Sequence, residues 1–231
     1  MNRTLYDLAG ADPALRFSPF CWRTRMALAH KDLPVETIPW RFTEKERIAF
    51  SGQGLVPVLV DGERVLHDSW AIAEYLEETY PHCPSLFGGP EAQAVTRFVN
   101  AWTDAVLHPW VGRLVVRDIL DVIRPEDRGY FRESREKRFG VTLEAFVAER
   151  ETVLPEFRRA LQPVRLVLRA QPFLAGEAPA YADYIVFGAF MWARGASAFR
   201  LLESDDPVHA WRERMLDLFD GLARRSPGHE V

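Results

Sequence analysis

Cysteine is scarce: the 231-residue chain carries two, Cys21 and Cys83. Two are too few for a disulfide framework, and neither has a Cys or His partner at zinc-ligand spacing, so reduced thiols and no metal are expected. His67 and His108 likewise lack a partner at metal-ligand spacing. Long apolar runs are missing too: no stretch approaches the roughly 20 residues of a membrane span. The start, Met1-Asn2-Arg3-Thr4-Leu5-Tyr6-Asp7, has none of the roughly 7 to 15 apolar residues of a secretory signal. A cytoplasmic protein with no membrane partner is predicted. There is no excess of positive charge either; the net charge is −4 with both signs interspersed, which speaks against nucleic acid as a partner. Internal repeats and low-complexity tracts are absent. What is present is ordinary for a folded chain with a core: 48% hydrophobic and 27% charged residues.

The chain changes character near residues 81–90. Before them, apolar or β-branched runs at 4–8, 35–39, 56–60 and 64–67 alternate with helical patterns at 19–30, 44–49 and 69–80. Asp61-Gly62 is a tight-turn signal that makes the last two strands an antiparallel hairpin. The first two strands, joined by a helix, should lie parallel through a right-handed crossover. A four-stranded mixed sheet with helices around it follows.

Residues 81–90, rich in Pro and Gly, read as a linker. Beyond them strand signals fade. Phe98, Trp102 and Ala105, and then Val153, Leu154, Phe157, Leu161, Val164 and Leu168, recur at helical spacing and are expected to be buried faces. Pro155 and Pro163 fall within the second set and predict a kink or break. The expected organisation is an α/β domain over 1–80, a linker over 81–90 and an all-α domain over 91–231.

Three fragments carry the chemistry. In Ser18-Pro19-Phe20-Cys21-Trp22-Arg23, Ser followed by Pro is a helix start, Ser capping an orphan amide and Pro occupying the first turn. A thiolate arriving there would meet a hydroxyl donor and the positive end of the helix dipole, both of which favour the charged sulfur. Ser18 would act as a donor, because no Gly-x-Ser-x-Gly elbow or nearby base supports a nucleophilic serine. Cys21, three residues on, stands where a CxxC motif has its second cysteine; a buried structural thiol and a redox-active one are both compatible with that position.

In Val56-Pro57-Val58-Leu59 the proline opens a strand without donating to the ladder. If its peptide bond is cis, the backbone of Val56 faces outward and can pair with an extended peptide ligand. In Asp68-Ser69-Trp70-Ala71-Ile72 an acid and a hydroxyl mark another helix start. Free amides with Ser69 could hold a carboxylate, and Asp68 could pair with an ammonium. A γ-glutamyl group carries both charges.

Taken together, these residues resemble the cytosolic glutathione transferases over the whole chain. The resemblance implies a thioredoxin-like N-terminal domain, an all-helical C-terminal domain, glutathione as co-substrate and a homodimer. It further implies that Ser18 activates the thiol and that Phe20 beside it contacts glutathione. Val56 would pair by backbone with the cysteinyl unit next to a cis Pro57, and Asp68 with Ser69 would hold the γ-glutamyl end. Ala182-Asp183-Tyr184 looks like the family's helix-start aspartate, although Ala180 stands where many members have a capping Ser or Thr.

A narrower likeness is to the bacterial glutathione-dependent β-etherases and their fungal relatives. It rests on Ser18-Pro19-Phe20-Cys21-Trp22-Arg23-Thr24, Asp68-Ser69-Trp70-Ala71-Ile72-Ala73-Glu74-Tyr75-Leu76, Pro125-Glu126-Asp127-Arg128-Gly129-Tyr130 and Leu218-Phe219-Asp220-Gly221-Leu222. It implies attack by glutathione on a hydrophobic aromatic electrophile. Ligand sites often form between domains, and Trp102, Trp110, Arg113, Phe190 and Trp192 are candidate lining there, although aromatic residues at helical spacing are more often core. Arg41, Lys45 and Gln53 are candidates for glutathione's glycine carboxylate. A ligandin-like binding protein and a glutathione-dependent thiol reductase working through Cys21 stay open as alternatives.

Overall fold

The computed structural model describes residues 3–230. The N-terminal part runs β1 (Arg3–Leu8), α1 (Pro19–His30), β2 (Glu36–Trp40), a 3-10 helix (Lys45–Ser51), β3 (Val58–Asp61), β4 (Arg64–His67) and α2 (Ser69–Thr79). The sheet order is β2-β1-β3-β4, parallel between β1 and β2 and antiparallel elsewhere. This is the expected thioredoxin-like sheet, and the Asp61-Gly62 turn closes its hairpin with Gly62 at φ 61°, a conformation that costs glycine little. Boundaries shift by up to two residues; the strand expected from Val56, for one, begins at Val58.

Register places the site. Val58 lies opposite Tyr6 on β1 and opposite His67 on β4. The chain leaving β1, the chain entering β3 and the chain leaving β4 therefore meet at one end of the sheet. The starts of α1 and α2 and the Val56-Pro57 turn are at that end. A one-residue slip would also exchange the faces of Leu5, Val58 and Leu59, all with no exposure, and undo their packing.

The helical part comprises α3 (Pro90–Trp102), a π turn (Thr103–Leu107), α4 (His108–Val115), a 3-10 turn (Val116–Asp118), α5 (Ile119–Val122) and α6 (Pro125–Phe139). It continues with α7 (Leu143–Val147), α8 (Arg150–Ala160), α9 (Gln162–Ala170), α10 (Tyr181–Ala196) and α11 (Pro207–Gly221). The face Val153, Leu154, Phe157, Leu161, Val164 and Leu168 is buried as its spacing predicts. The break falls at Leu161, and Pro163 sits harmlessly in the first turn of α9.

The other expected face is wrong. Phe98 is 72% exposed and Ala105 is exposed, while Thr96, Thr103 and Leu107 turn inward. The cause is polar. Arg23 of α1, 1% exposed, donates from Nη1 to Asn100 Oδ1 (3.0 Å) and from Nη2 to Asp104 Oδ1 (2.7 Å), and Asn100 Nδ2 donates to Asp104 Oδ2 (3.0 Å). A buried guanidinium without partners costs several kcal/mol (roughly 3–5 for breaking a buried pair), more than turning out one apolar side chain.

The two parts pack along α1 and α10. Helix α10 is buried nearly all round, and Tyr184, Ile185, Val186 and Phe187 have no exposure. Gly188 allows α10 to touch the first turn of α1, since a Cβ there would overlap the Pro19 carbonyl oxygen; at Gly195 it would lie 2.5 Å from Phe17 Cβ. At the other end of α1, the Lys31 ammonium is bound by the Tyr80 and Pro84 carbonyls (3.2 and 3.1 Å) and by Glu77 (2.8 Å), which docks the connecting segment. Helix α11 ends in a broken turn, with Phe219 and Asp220 at φ 53° and 55°. The Phe219 ring meets His30 and Tyr184 at 6.3 and 6.2 Å, contacts that offset the roughly 1–2 kcal/mol cost of each left-handed residue. Among the described residues no helix is long and apolar enough to cross a membrane.

Candidate functional site

Ser18 caps α1 with extended backbone, φ −70° and ψ 125°, and its Oγ accepts the Cys21 N–H at 3.2 Å. Pro19 occupies the first turn and has no N–H to satisfy. The serine uses an acceptor lone pair for the cap, so its O–H proton stays available to donate. Ser18 is 4% exposed, whereas Phe20 beside it is 37% exposed.

The Val56-Pro57 bond is cis. Pro57 is buried, and neither the N–H nor the C=O of Val56 makes a hydrogen bond among the described residues.

Asp68 caps α2: its Oδ1 accepts from the N–H groups of Trp70 and Ala71, both at 3.0 Å. Two of the amides expected to be free for a carboxylate are therefore spent. The N–H and Oγ of Ser69, and Oδ2 of Asp68, make no hydrogen bond among the described residues. Ser69 is held from the other domain. Its carbonyl accepts the hydroxyl of Tyr181, the first residue of α10, at 2.6 Å. Tyr181 has no exposure, packs against Trp70 and Phe87 at 5.9 and 5.4 Å, and burial pushes its hydroxyl pKa up, so it stays a donor. Sequence reasoning missed this tyrosine, which stands two residues before the singled-out Asp183.

Of the three candidates for a glycine carboxylate, the structure distinguishes one. Arg41 is spent on the Gly10 carbonyl (3.2 Å) and on Glu44 (3.8 Å), and the Gln53 amide bonds to the Leu55 backbone. Lys45 Nζ binds the Gly54 carbonyl at 2.6 Å and has no carboxylate partner among the described residues, two residues from Val56.

Between the domains, an aromatic row starts at Phe20. The Arg23 guanidinium covers its ring at 4.7 Å, His108 meets it edge-on at 5.2 Å, and Trp192 meets His108 at 6.0 Å. Burial, with Arg23 nearby, lowers the His108 pKa to about 3. The ring is neutral, so its 3.4 Å approach to Asp104 is not an ion pair. Because arginine only donates, the Nε2 that faces Arg23 Nη2 at 3.4 Å is the acceptor and Nδ1 carries the proton. Two expected lining residues go elsewhere. Phe190 is 2% exposed against Trp211, and Arg113 pairs with Glu149 at 3.6 Å. Trp102 and Trp110 are half-buried against the core.

Cys21 has no exposure, and burial, reinforced by the Asp7 carboxylate, pushes its thiol pKa up. The state required of a redox nucleophile, an accessible thiolate, is disfavoured there. Among the described residues no cluster of three or more His, Cys, Asp or Glu side chains could hold a metal ion.

Comparison with known proteins adds the following. The model of the glutathione S-transferase N-terminal domain matches residues 17–79, and that of the glutathione S-transferase C-terminal domain matches residues 94–214. Glutathione S-transferase Z1 of Arabidopsis thaliana is 33% identical over 111 residues, 46% of this chain and 50% of that protein. The chain spans about half the length of the curated relatives it matches first. The crystal structure of CsGST63524 of Ceriporiopsis subvermispora, a glutathione S-transferase in complex with glutathione, superposes with TM-score 0.79 at 24% identity, covering 94% of this chain and 96% of that one. GSTFuA3 from Phanerochaete chrysosporium superposes with TM-score 0.77 at 26% identity, covering 96% and 92%.

Proposed function

The chain belongs to the glutathione S-transferase family, and from that premise we propose that it binds glutathione at the end of the sheet and transfers its thiolate to a hydrophobic aromatic electrophile. The observation that carries the reading is convergence. Register brings a capped hydroxyl with a free proton (Ser18), an unpaired backbone segment (Val56) and an acid-hydroxyl pair (Asp68, Ser69) to one edge. Each matches one part of glutathione. Ser18 and the start of α1 stabilise the thiolate, and Val56 pairs with the cysteinyl backbone. Asp68 Oδ2 takes the γ-glutamyl ammonium, the N–H and hydroxyl of Ser69 take its carboxylate, and Lys45 takes the glycine carboxylate.

The electrophile lies against Phe20 and the row leading to Trp192. Our specific reading is β-aryl ether cleavage, supported by the four strings that resemble the β-etherases and by this aromatic wall. The thiol proton leaves to solvent when glutathione binds as thiolate. Sulfur then attacks the carbon bearing the aryl ether, the C–S bond forms as the C–O bond breaks, and the phenolate departs with the bonding pair. Incubation with a β-aryl ether ketone and glutathione is expected to release one phenol per thioether formed. If 1-chloro-2,4-dinitrobenzene is conjugated and the ether is not, the transferase reading stands and the ether branch is withdrawn. Tight glutathione binding without turnover of either favours a ligandin-like protein. The buried Cys21 thiol argues against the thiol-reductase alternative.

The protein is further proposed to act as a homodimer. On α3, Val95 and Phe98 are 66% and 72% exposed and stand three residues apart on one face, an apolar surface that a second copy would cover. Light scattering should return twice the chain mass, and a monomer would overturn this.

A further inference from the structure

We propose that the open concavity between α1, β2 and the C-terminal segment is a second binding site, one for a small polyanion. The cavity measures about 300 Å³, and its walls include Arg16, Arg25, Arg225, Thr37, Leu222 and Ser226. None of the residues assigned to glutathione or to the aromatic row lines it.

Charge carries the inference furthest. Three guanidiniums meet there. Arg16 and Arg25 share one carboxylate, Asp7 Oδ2, at 3.4 and 3.6 Å, and neither distance is a formed hydrogen bond from their Nη1 atoms to that side chain. Asp7 has no exposure, so it neutralises the arginines from behind; Arg16 is also held by the Pro13 carbonyl through Nε at 2.7 Å, while the Arg25 side chain donates no hydrogen bond among the described residues. Arg225 has no acidic partner among the described residues. One carboxylate against three guanidiniums leaves two positive charges uncompensated, in a chain whose net charge is −4.

A buried hydroxyl at the cavity wall and a rigidly held arginine point further to a ligand. Ser226 is 7% exposed, and its Oγ is buried without a hydrogen-bond partner among the described residues, whereas the buried Nη1 of Arg25 faces Asp7 Oδ2. Buried polar atoms are rarely left unpaired, because each costs about 1–3 kcal/mol. Arg25 is also held ready. Its guanidinium stacks on the Trp22 ring at 4.2 Å, and Trp22 has no exposure and is fixed by its own bond to the Arg16 carbonyl at 2.8 Å. A rigid planar fork with free N–H groups fits carboxylate, phosphate or sulfate oxygens in pairs. The Thr37 and Ser226 hydroxyls add donors, and Leu222 offers an apolar wall for a small organic group.

A larger cavity lined by arginines, about 570 Å³ between α8 and α9, makes the contrast. There Arg165 is bound to both oxygens of Asp206, Arg158 to Glu203 and Arg159 to Glu156. Its charges are spent. Those around the smaller cavity are not.

Titration calorimetry of the whole chain with inorganic phosphate, and separately with citrate, tests the site. Saturable binding that weakens with added salt is expected, with affinity lowered roughly tenfold in Arg225→Gln, the loss of one charge-assisted contact. Thr37→Val, which leaves every ion pair in place, should weaken binding by a smaller factor. Phosphate without citrate identifies a phosphate ester as the natural class, and citrate without phosphate a polycarboxylate. S-Methylglutathione at saturation should not displace the anion. Absence of saturable binding by either anion, affinity unchanged in both variants, or displacement by S-methylglutathione would each overturn the proposal.

Discussion

Ser18→Ala is expected to lower kcat for thiol transfer by about 10²–10³-fold, the usual loss when one preorganised donor to a developing or resident anion is removed. The hydroxyl has two roles that separate experimentally. As a cap it accepts the Cys21 N–H at 3.2 Å, so alanine costs about 1 kcal/mol of stability, which chemical denaturation reads. As the donor proposed here it should lower the pKa of bound glutathione's thiol. The sign follows from which form it favours. A bond donated to the thiolate stabilises the charged state, so the wild-type thiol ionises below its free value of about 8.5. In the mutant only the start of α1 remains, and the thiol pKa should rise toward the free value. The pH–rate profile then shifts with it: wild type reaches its plateau at lower pH, and the mutant gains activity as pH climbs. Thiolate absorbance of the bound ligand, titrated in both proteins, measures this directly. Identical bound-thiol pKa values in the two would remove Ser18 from the mechanism.

Asp183→Ala is expected to destabilise the protein by about 3–5 kcal/mol, a large part of the roughly 5–15 kcal/mol a domain of this kind has. Asp183 has no exposure, and its carboxylate accepts four donors. Oδ1 takes the Leu174 N–H (2.7 Å) and Trp211 Nε1–H (2.9 Å), while Oδ2 takes the N–H groups of Ala175 and Ala180 (both 3.2 Å). Alanine orphans all four at once. Asp183→Asn keeps one acceptor oxygen but turns an NH₂ toward two N–H donors, so its loss should be intermediate. A functional effect precedes unfolding. Tyr181, two residues earlier, holds the Ser69 carbonyl at 2.6 Å, so loosening the start of α10 should raise KM for glutathione more than it lowers kcat. Urea denaturation checks the first claim and steady-state kinetics the second. An unchanged midpoint in Asp183→Ala would sink both.

Asp183 also shows where local chemistry was replaced. The cap residue Ala180 has no side-chain acceptor, so the helix start relies on Asp183 reaching back to the Ala180 N–H at 3.2 Å. That half of a capping box survives because the same carboxylate is tied to Trp211 of α11 and to the turn before α10. A cap that serves four partners tolerates the loss of its reciprocal bond.

Signals that act within a few residues were legible in the chain. Ser18-Pro19 marks the start of α1 at Pro19, Asp61-Gly62 marks the hairpin, and the run from Val153 to Leu168 shows its buried face. Caps, turns and periodicity depend on neighbours in sequence, so sequence suffices for them. The residues proposed to bind glutathione stand out for the same reason, each sitting at a helix start or beside a proline.

Tertiary structure decided whatever depends on a partner far along the chain. Phe98 faces out because Arg23, 77 residues away from Asn100, needed that side of α3 for its guanidinium. Lys45 rather than Arg41 is left with a free charge because Gly10 and Glu44 claim the arginine. Tyr181 reaches Ser69 across 112 residues. The polyanion cavity joins residues from both ends of the chain. Composition and spacing specify which groups must be satisfied, but only packing determines which partner satisfies them, because burial makes that choice a matter of several kcal/mol for charges and leaves it nearly neutral in water.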